Sequence, residues 1–122
     1  MDKKNENEVL ALSYQFALHV VKLYRYLCHE KKEYVLSKQL LRSETSIGAN
    51  VNEAQAAISK KDFIAKRSIS SKEARESQYW LNLLVDSGYI DKKSSKTTKL
   101  FEEITSLQKL LTSIVKSSQE SL

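Results

Sequence analysis

Apolar residues at Val9, Leu12, Phe16, Val20, Leu23 and Leu27 recur at steps of three and four, the spacing of one face of a helix. They predict a first helix over residues 5–31. Glu30 to Tyr34 (EKKEY) breaks the pattern, and Ser37 is placed to cap a second helix with apolar positions at Leu40, Ile47, Val51, Ala54 and Ile58. Ser59 to Asp62 (SKKD) reads as a variant of the capping box, opening a third helix that runs to Ser87, with Gly88 suited to the position after its end. Asp91 is placed to cap a fourth, in which Leu100, Ile104, Leu107, Leu111 and Ile114 form a heptad seam. Four helices joined by short polar connectors predict an all-α fold: an antiparallel up-down-up-down four-helix bundle, one domain over residues 1–122. Only the ends, DKKNENE and SSQESL, read as frayed.

Helix one carries more apolar surface than one bundle needs. Leu10, Tyr14, Ala17, Val21, Tyr24 and Cys28 form a second stripe beside the first. Monomers rarely leave such a patch in water, so the pattern predicts a homo-oligomer in which helix one makes much of the subunit contact.

Helix two does the opposite. Thr45, Gly48, Asn52 and Ala56 form a ridge with almost no bulk, and glycine inside a helix costs roughly 1 kcal/mol relative to alanine. Two readings stay open: Gly48 admits a large side chain of helix three (Tyr79, Trp80 or Phe63), or it lines a ligand or nucleic-acid groove. Helix three keeps heptad spacing at Phe63, Lys66, Ser70, Glu73, Ser77, Trp80 and Leu84, yet its middle is polar. Helix two offers Arg42, Ser46, Asn50 and Glu53 to that middle. In antiparallel register Glu53 meets Lys66 or Arg67, and Arg42 meets Glu73 or Glu76; the competing reading is a solvated charged face.

Composition supports the helical picture, because the 122 residues contain no proline and two glycines. Twenty basic against fifteen acidic residues give a net charge of +5, compatible with a polyanionic partner without requiring one. The single cysteine, Cys28, fits a reducing, cytoplasmic setting. The polar MDKKNENE start lacks the apolar core of a secretory signal, and the run VLALSYQFALHVV stops short of the ~20 residues that span a bilayer, so no membrane partner is expected. His19 and His29 are not spaced as metal ligands, no phosphate-cradling GxxxxGK, HExxH or GxSxG is present, and no cofactor is implied. Glu73 and Glu76 share a helix face, but neighbouring basic residues make salt bridges a better use for them than a divalent ion. The sequence therefore reads as non-enzymatic.

An up-down-up-down bundle brings the loop after helix one and the loop before helix four to the same end. Lys31, Lys32, Lys92, Lys93 and Lys96 gather there, with Tyr34 and Tyr89 available to stack on unpaired bases. Glu30, Glu33 and Asp91 dilute that charge.

Three segments carry a resemblance to a known family. Arg42 to Asn50 follows the pattern Arg-Ser-x-Thr-Ser-Ile-Gly-Ala-Asn, with Glu44 at its variable position and Glu53 shortly after. Ser59 to Phe63 follows Ser-x-x-Asp-Phe, through Asp62 and Phe63. Lys72 to Leu81 follows Lys-Glu-x-x-Glu-x-x-Tyr-Trp-Leu, through Glu73, Tyr79 and Trp80. In order and spacing, with Arg42, Ser43, Ser46, Gly48 and Asn50 in place, the chain resembles the four-helix-bundle proteins associated with intervening sequences in bacterial 23S ribosomal RNA genes. That resemblance implies a cyclic homopentamer with a central channel. It also implies distant kinship to the accessory variability determinant of diversity-generating retroelements, a basic barrel that binds nucleic acid and a reverse transcriptase. Two readings of function follow: an oligomeric accessory protein that holds RNA or DNA on its basic end, or a protein-interaction scaffold that ignores nucleic acid.

Overall fold

The computed structural model describes residues 3–121. Four helices follow in order, α1 (Lys3–His29), α2 (Leu36–Ala54), α3 (Lys60–Asp86) and α4 (Ser95–Glu120). Each packs against its neighbours in the order α1–α2–α3–α4 and back to α1, which is the up-down-up-down bundle, and the Arg67–Glu6 ion pair crosses between the diagonal helices α3 and α1. The seam between α2 and α3 is the most extensive, and that between α1 and α4 the least. Val9, Phe16, Val20 and Leu27 on α1, and all five heptad positions of α4 from Leu100 to Ile114, are buried in one continuous core. Leu12 and Leu23 pack at its edge. Of the second stripe on α1, Leu10, Ala17, Val21, Tyr24 and Cys28 are half-buried within the single chain, while Tyr14 stands 67% exposed.

The helix starts show how capping is shared out. Ser59 Oγ accepts from the Asp62 amide at 3.0 Å, and the Asp62 carboxylate reaches back to the Ile58 amide at 3.2 Å, one residue before the cap, a variant of the capping box. Ile58 itself lies outside α2 and is 94% exposed, so it is no core position. Ser37 does not cap α2. It lies inside the helix, and the orphan amides are satisfied by buried Glu33, whose carboxylate accepts from Val35 and Leu36 at 2.9 Å and from Ser37 at 2.7 Å. Burial pushes that carboxyl up, but the Leu36, Ser37 and Val35 amides outweigh it and hold the group below its ordinary range. Likewise Ser94, not Asp91, caps α4, accepting from the Thr97 amide at 3.2 Å. Asp91 instead accepts from the Lys93 amide at 2.9 Å and shapes the preceding turn.

The polar middle of α3 lies buried in the most extensive seam of the bundle. Ser43 on α2 and Ser70, Ala74 and Ser77 on α3 are all fully buried; Ser43 and Ser77 share a 2.7 Å hydroxyl hydrogen bond, and Ser70 reaches the Ile47 carbonyl at 3.4 Å. Small side chains there let the two helices approach, with their hydroxyls satisfied. The close approach therefore runs through serines and not through the ridge of Gly48. Thr45, Asn52 and Ala56 are exposed, and a Cβ added at Gly48 would meet only the Glu44 carboxylate, at 3.8 Å. Tyr79 is exposed and Trp80 half-buried, edge-on to one another with ring centroids 5.0 Å apart, so neither fills that ridge. Asn50 spends its amide locally on the Ser46 carbonyl at 2.9 Å.

Charge pairing follows the expected antiparallel pattern at both ends, closely at one and loosely at the other. Arg42 pairs with Glu73 at 3.4 Å and with Glu76, to which the Trp80 indole also donates. The Trp80 bond, against some burial, and Arg42 together hold the Glu76 carboxyl low. Glu53 is mostly solvated, 3.9 Å from Lys66. Arg67 turns away from Glu53 altogether. It is fully buried beside the Phe63 ring, donates to the Val51 carbonyl at 2.7 Å and pairs with Glu6, which also accepts from Gln55 at 3.0 Å. Glu6 belongs to the run that reads as frayed, yet it is helical and buried. The other end is ordered too, since α4 reaches Glu120 and Lys60 donates to the Ser121 carbonyl at 3.2 Å.

Among the described residues one buried carboxyl has no such partner. Glu44 is 1% exposed, and burial pushes it up to about 7 from 4.5. Below pH 4.5 both folded and unfolded chains carry the proton; between 4.5 and 7 the unfolded chain ionises first, so stability falls as pH rises. The loss is on the order of 3 kcal/mol and levels off above the folded value. In Glu44→Gln that slope should vanish, so denaturant midpoints of variant and parent should diverge in the variant's favour across this window; parallel pH profiles would show the carboxyl to be solvated. Glu6→Ala should cost about 3 kcal/mol or more by stranding Arg67, and Glu6→Leu with Arg67→Met should recover most of it in the same urea titration. A change under about 1 kcal/mol in Glu6→Ala would mean that the guanidinium finds water.

Candidate nucleic-acid interface

The loosest seam of the bundle opens into a groove. His19, Lys22, Leu23 and Tyr26 follow one face of α1, and Lys96, Lys99 and Leu100 follow the facing side of α4. The helices run antiparallel, so the end of α1 lies beside the start of α4, and the connectors at that end complete the walls with Lys31 and with Gly88 to Asp91 and Ser94. The cavity measures about 770 Å³, within the range of small-ligand sites.

Local structure sets each wall. The α3 terminus closes as a Schellman motif: Gly88 adopts φ 85°, its amide donates to the Val85 carbonyl at 3.0 Å, and the Tyr89 amide donates to Leu84 at 2.9 Å. That reversal lays Tyr89 and Ile90 against the core edge and into the groove. On the opposite wall Lys31 places its ammonium 5.9 Å from the Tyr26 ring centre, a cation–π contact. At the floor, His19 Nδ1 lies 2.8 and 2.9 Å from the two oxygens of Glu103, which is buried. An ionised carboxylate only accepts, so Nδ1 carries the hydrogen and Nε2 is left without a partner among the described residues.

Of the five lysines expected at this end, Lys31 and Lys96 line the groove, with Tyr89 between the walls. Lys32, Lys92 and Lys93 are exposed outside the lining, Lys32 in left-handed backbone at φ 55°, and Tyr34 is also outside it. Lys22 and Lys99 take their place, and Glu33, expected to dilute the charge, is buried in its capping role. Among the described residues none of Lys22, Lys31, Lys96 and Lys99 makes an ion pair. Asp91 is the only acid in the lining. The signal for the missed residues lies in the sequence: His19, Lys22 and Tyr26 on one helix mirror Lys96, Lys99 and Glu103 on the other at the same spacing. No group of three potential metal ligands occurs among the described residues, and no helix there is long and apolar enough to cross a membrane.

Comparison with known proteins places this geometry in context. The family model described as 23S rRNA-intervening sequence protein matches residues 5–113. A crystal structure of a protein of unknown function from the S23 ribosomal protein family of Bacteroides thetaiotaomicron superposes with a TM-score of 0.87 at 46% identity, covering 92% of this chain and 98% of that one. No curated protein matches significantly.

The Glu103 contact makes a prediction about the imidazole. Nitrogen-15 spectra at alkaline pH should show neutral His19 protonated on Nδ1, and Glu103→Ala should shift it toward the Nε2-protonated form. An Nε2-protonated ring in the parent protein would mean that the carboxylate does not hold it.

Proposed function

The chain belongs to the 23S rRNA-intervening sequence protein family, and on that footing we propose that it is a non-enzymatic, oligomeric accessory protein that holds nucleic-acid backbone on the basic end of its bundle. The observation that carries this reading is the set of four unpaired lysines, Lys22, Lys31, Lys96 and Lys99, converging from two helices and a connector on one groove. Acids lie close by in Asp91, Glu30 and Glu102, yet among the described residues none of these lysines is tied up in an ion pair. Lys96 and Lys99 also sit in the opening turns of α4, whose first turn holds no acid, so they oppose the positive end of the helix dipole. Convergent phosphates relieve that unfavourable clustering, and such contacts position a strand without reading its sequence.

The assembly reading, a homo-oligomer and a pentamer by family likeness, draws support from Tyr14 and Leu18, which stand outward on α1. Cyclic symmetry repeats the lysine groove around one rim, multiplying its effect on a long polyanion. The family setting, the acid-poor groove and the cysteine count fit an intracellular, cytoplasmic protein.

Titration of structured RNA and duplex DNA should show binding that weakens steeply from low to moderate salt. Lys96→Gln with Lys99→Gln should reduce the slope of log K against log salt by about 2. Absence of affinity at low salt would leave the protein-interaction scaffold as the better reading, and a monomer in light scattering at micromolar concentration would remove the ring.

A further inference from the structure

Phosphate contact alone leaves the interior of the groove unused. A duplex resting on the four lysines would touch the rim and not reach Leu23, Leu100 and Ile90 at the back, or the faces of Tyr26 and Tyr89. Those groups make a largely apolar groove with a tyrosine on each wall, and an apolar groove rimmed by cations suits a flat apolar body with charges at its edges. An unpaired nucleotide has that form.

We propose that the α1–α4 groove takes an unpaired base of a single strand, the base entering between Tyr26 and Tyr89 while the flanking phosphates meet Lys22 and Lys31 on one wall and Lys96 and Lys99 on the other. The inference builds on the backbone-binding reading and narrows its ligand to single-stranded nucleic acid. His19 supplies the polar contact at the floor. Its ring is held through Nδ1 by Glu103, and the free Nε2 hydrogen-bonds the edge of the base, accepting from an N–H on the neutral ring or donating to a ring nitrogen or carbonyl on the charged one. Stacking on aromatic faces is tolerant of base identity, so the groove selects unpaired against paired more than one base against another.

Charge argues against the other occupants. A second copy docked groove to groove would set lysines against lysines in a chain already at +5. An apolar peptide would bury the groove but leave the four ammonium groups without counter-charge.

The test compares, at one salt concentration, a labelled single-stranded RNA of about ten nucleotides, its deoxy counterpart, the blunt duplex with its complement, an abasic version of the strand, and a polyglutamate of equal charge. The single strands should bind at least tenfold tighter than the duplex, the abasic strand or the polyglutamate. Tyr89→Ala and His19→Ala should each weaken strand binding roughly 5- to 100-fold while leaving duplex binding unchanged, and Tyr89→Phe should retain it. Thermal melts of each variant establish that the fold persists, and the abasic comparison uses the parent protein throughout. Equal affinity for strand, abasic strand and duplex would overturn base insertion while backbone binding stands. Polyglutamate binding as tightly as the strand would also overturn it, as would masking of the groove by self-association at concentrations where oligonucleotide binding is lost. Failure of every nucleic acid at low salt would overturn both readings together.

Discussion

The buried guanidinium of Arg67 constrains everything around it. A charge fully removed from water survives in a fold only when its donors are satisfied, and here they are taken by the Glu6 carboxylate of α1 and by the Val51 carbonyl near the end of α2. One side chain of α3 thereby fixes the register of three helices at one end of the bundle. The Phe63 ring and Gln55 close around the pair, so none of these three helices can slide by a turn without breaking the cluster.

From that pin the structure becomes progressively looser toward the α1–α4 seam. The serine layer of α2 and α3 brings their backbones together, and Arg42 with Glu73 and Glu76 ties the same pair further along. Opposite, α1 meets α4 through its heptad core and through the contact of His19 with Glu103. The groove opens along this least extensive seam. Its lysines lie there at little cost, because the cavity leaves them hydrated.

How much of this the amino-acid pattern revealed depends on the range of the interaction. The α4 seam, the Ser59 cap and the Gly88 terminus are local in sequence, and each appears where periodicity and capping chemistry place it. Arg42 with its two acids was legible because antiparallel register alone pairs them. Glu53 takes Lys66, one of its two expected partners, while Arg67, the other, pairs with Glu6, far off in the chain within a run whose polarity resembles an unstructured end. Gly48 misled because a missing side chain suggests an intruding one, whereas its neighbour is the buried carboxylate of Glu44 from the preceding turn. Ser37 and Asp91 are good caps by residue type, but Glu33 and Ser94 reach the orphan amides in their stead. Of the lysines expected at that end of the bundle, Lys31 and Lys96 line the proposed groove. Lys22 and Lys99, which join them, belong to helix faces whose mutual approach is a tertiary fact.

The Schellman turn at Gly88 gives the groove an unusual dependence on handedness. Nothing lies within 4 Å of where a Cβ would stand, so space does not require glycine there; the left-handed backbone at φ 85° does. An L-residue in that conformation is disfavoured by roughly 1–2 kcal/mol. One aromatic wall of the cleft is thus aimed by chirality and not by packing, which leaves the surface beyond Gly88 free to vary while Tyr89 keeps its bearing.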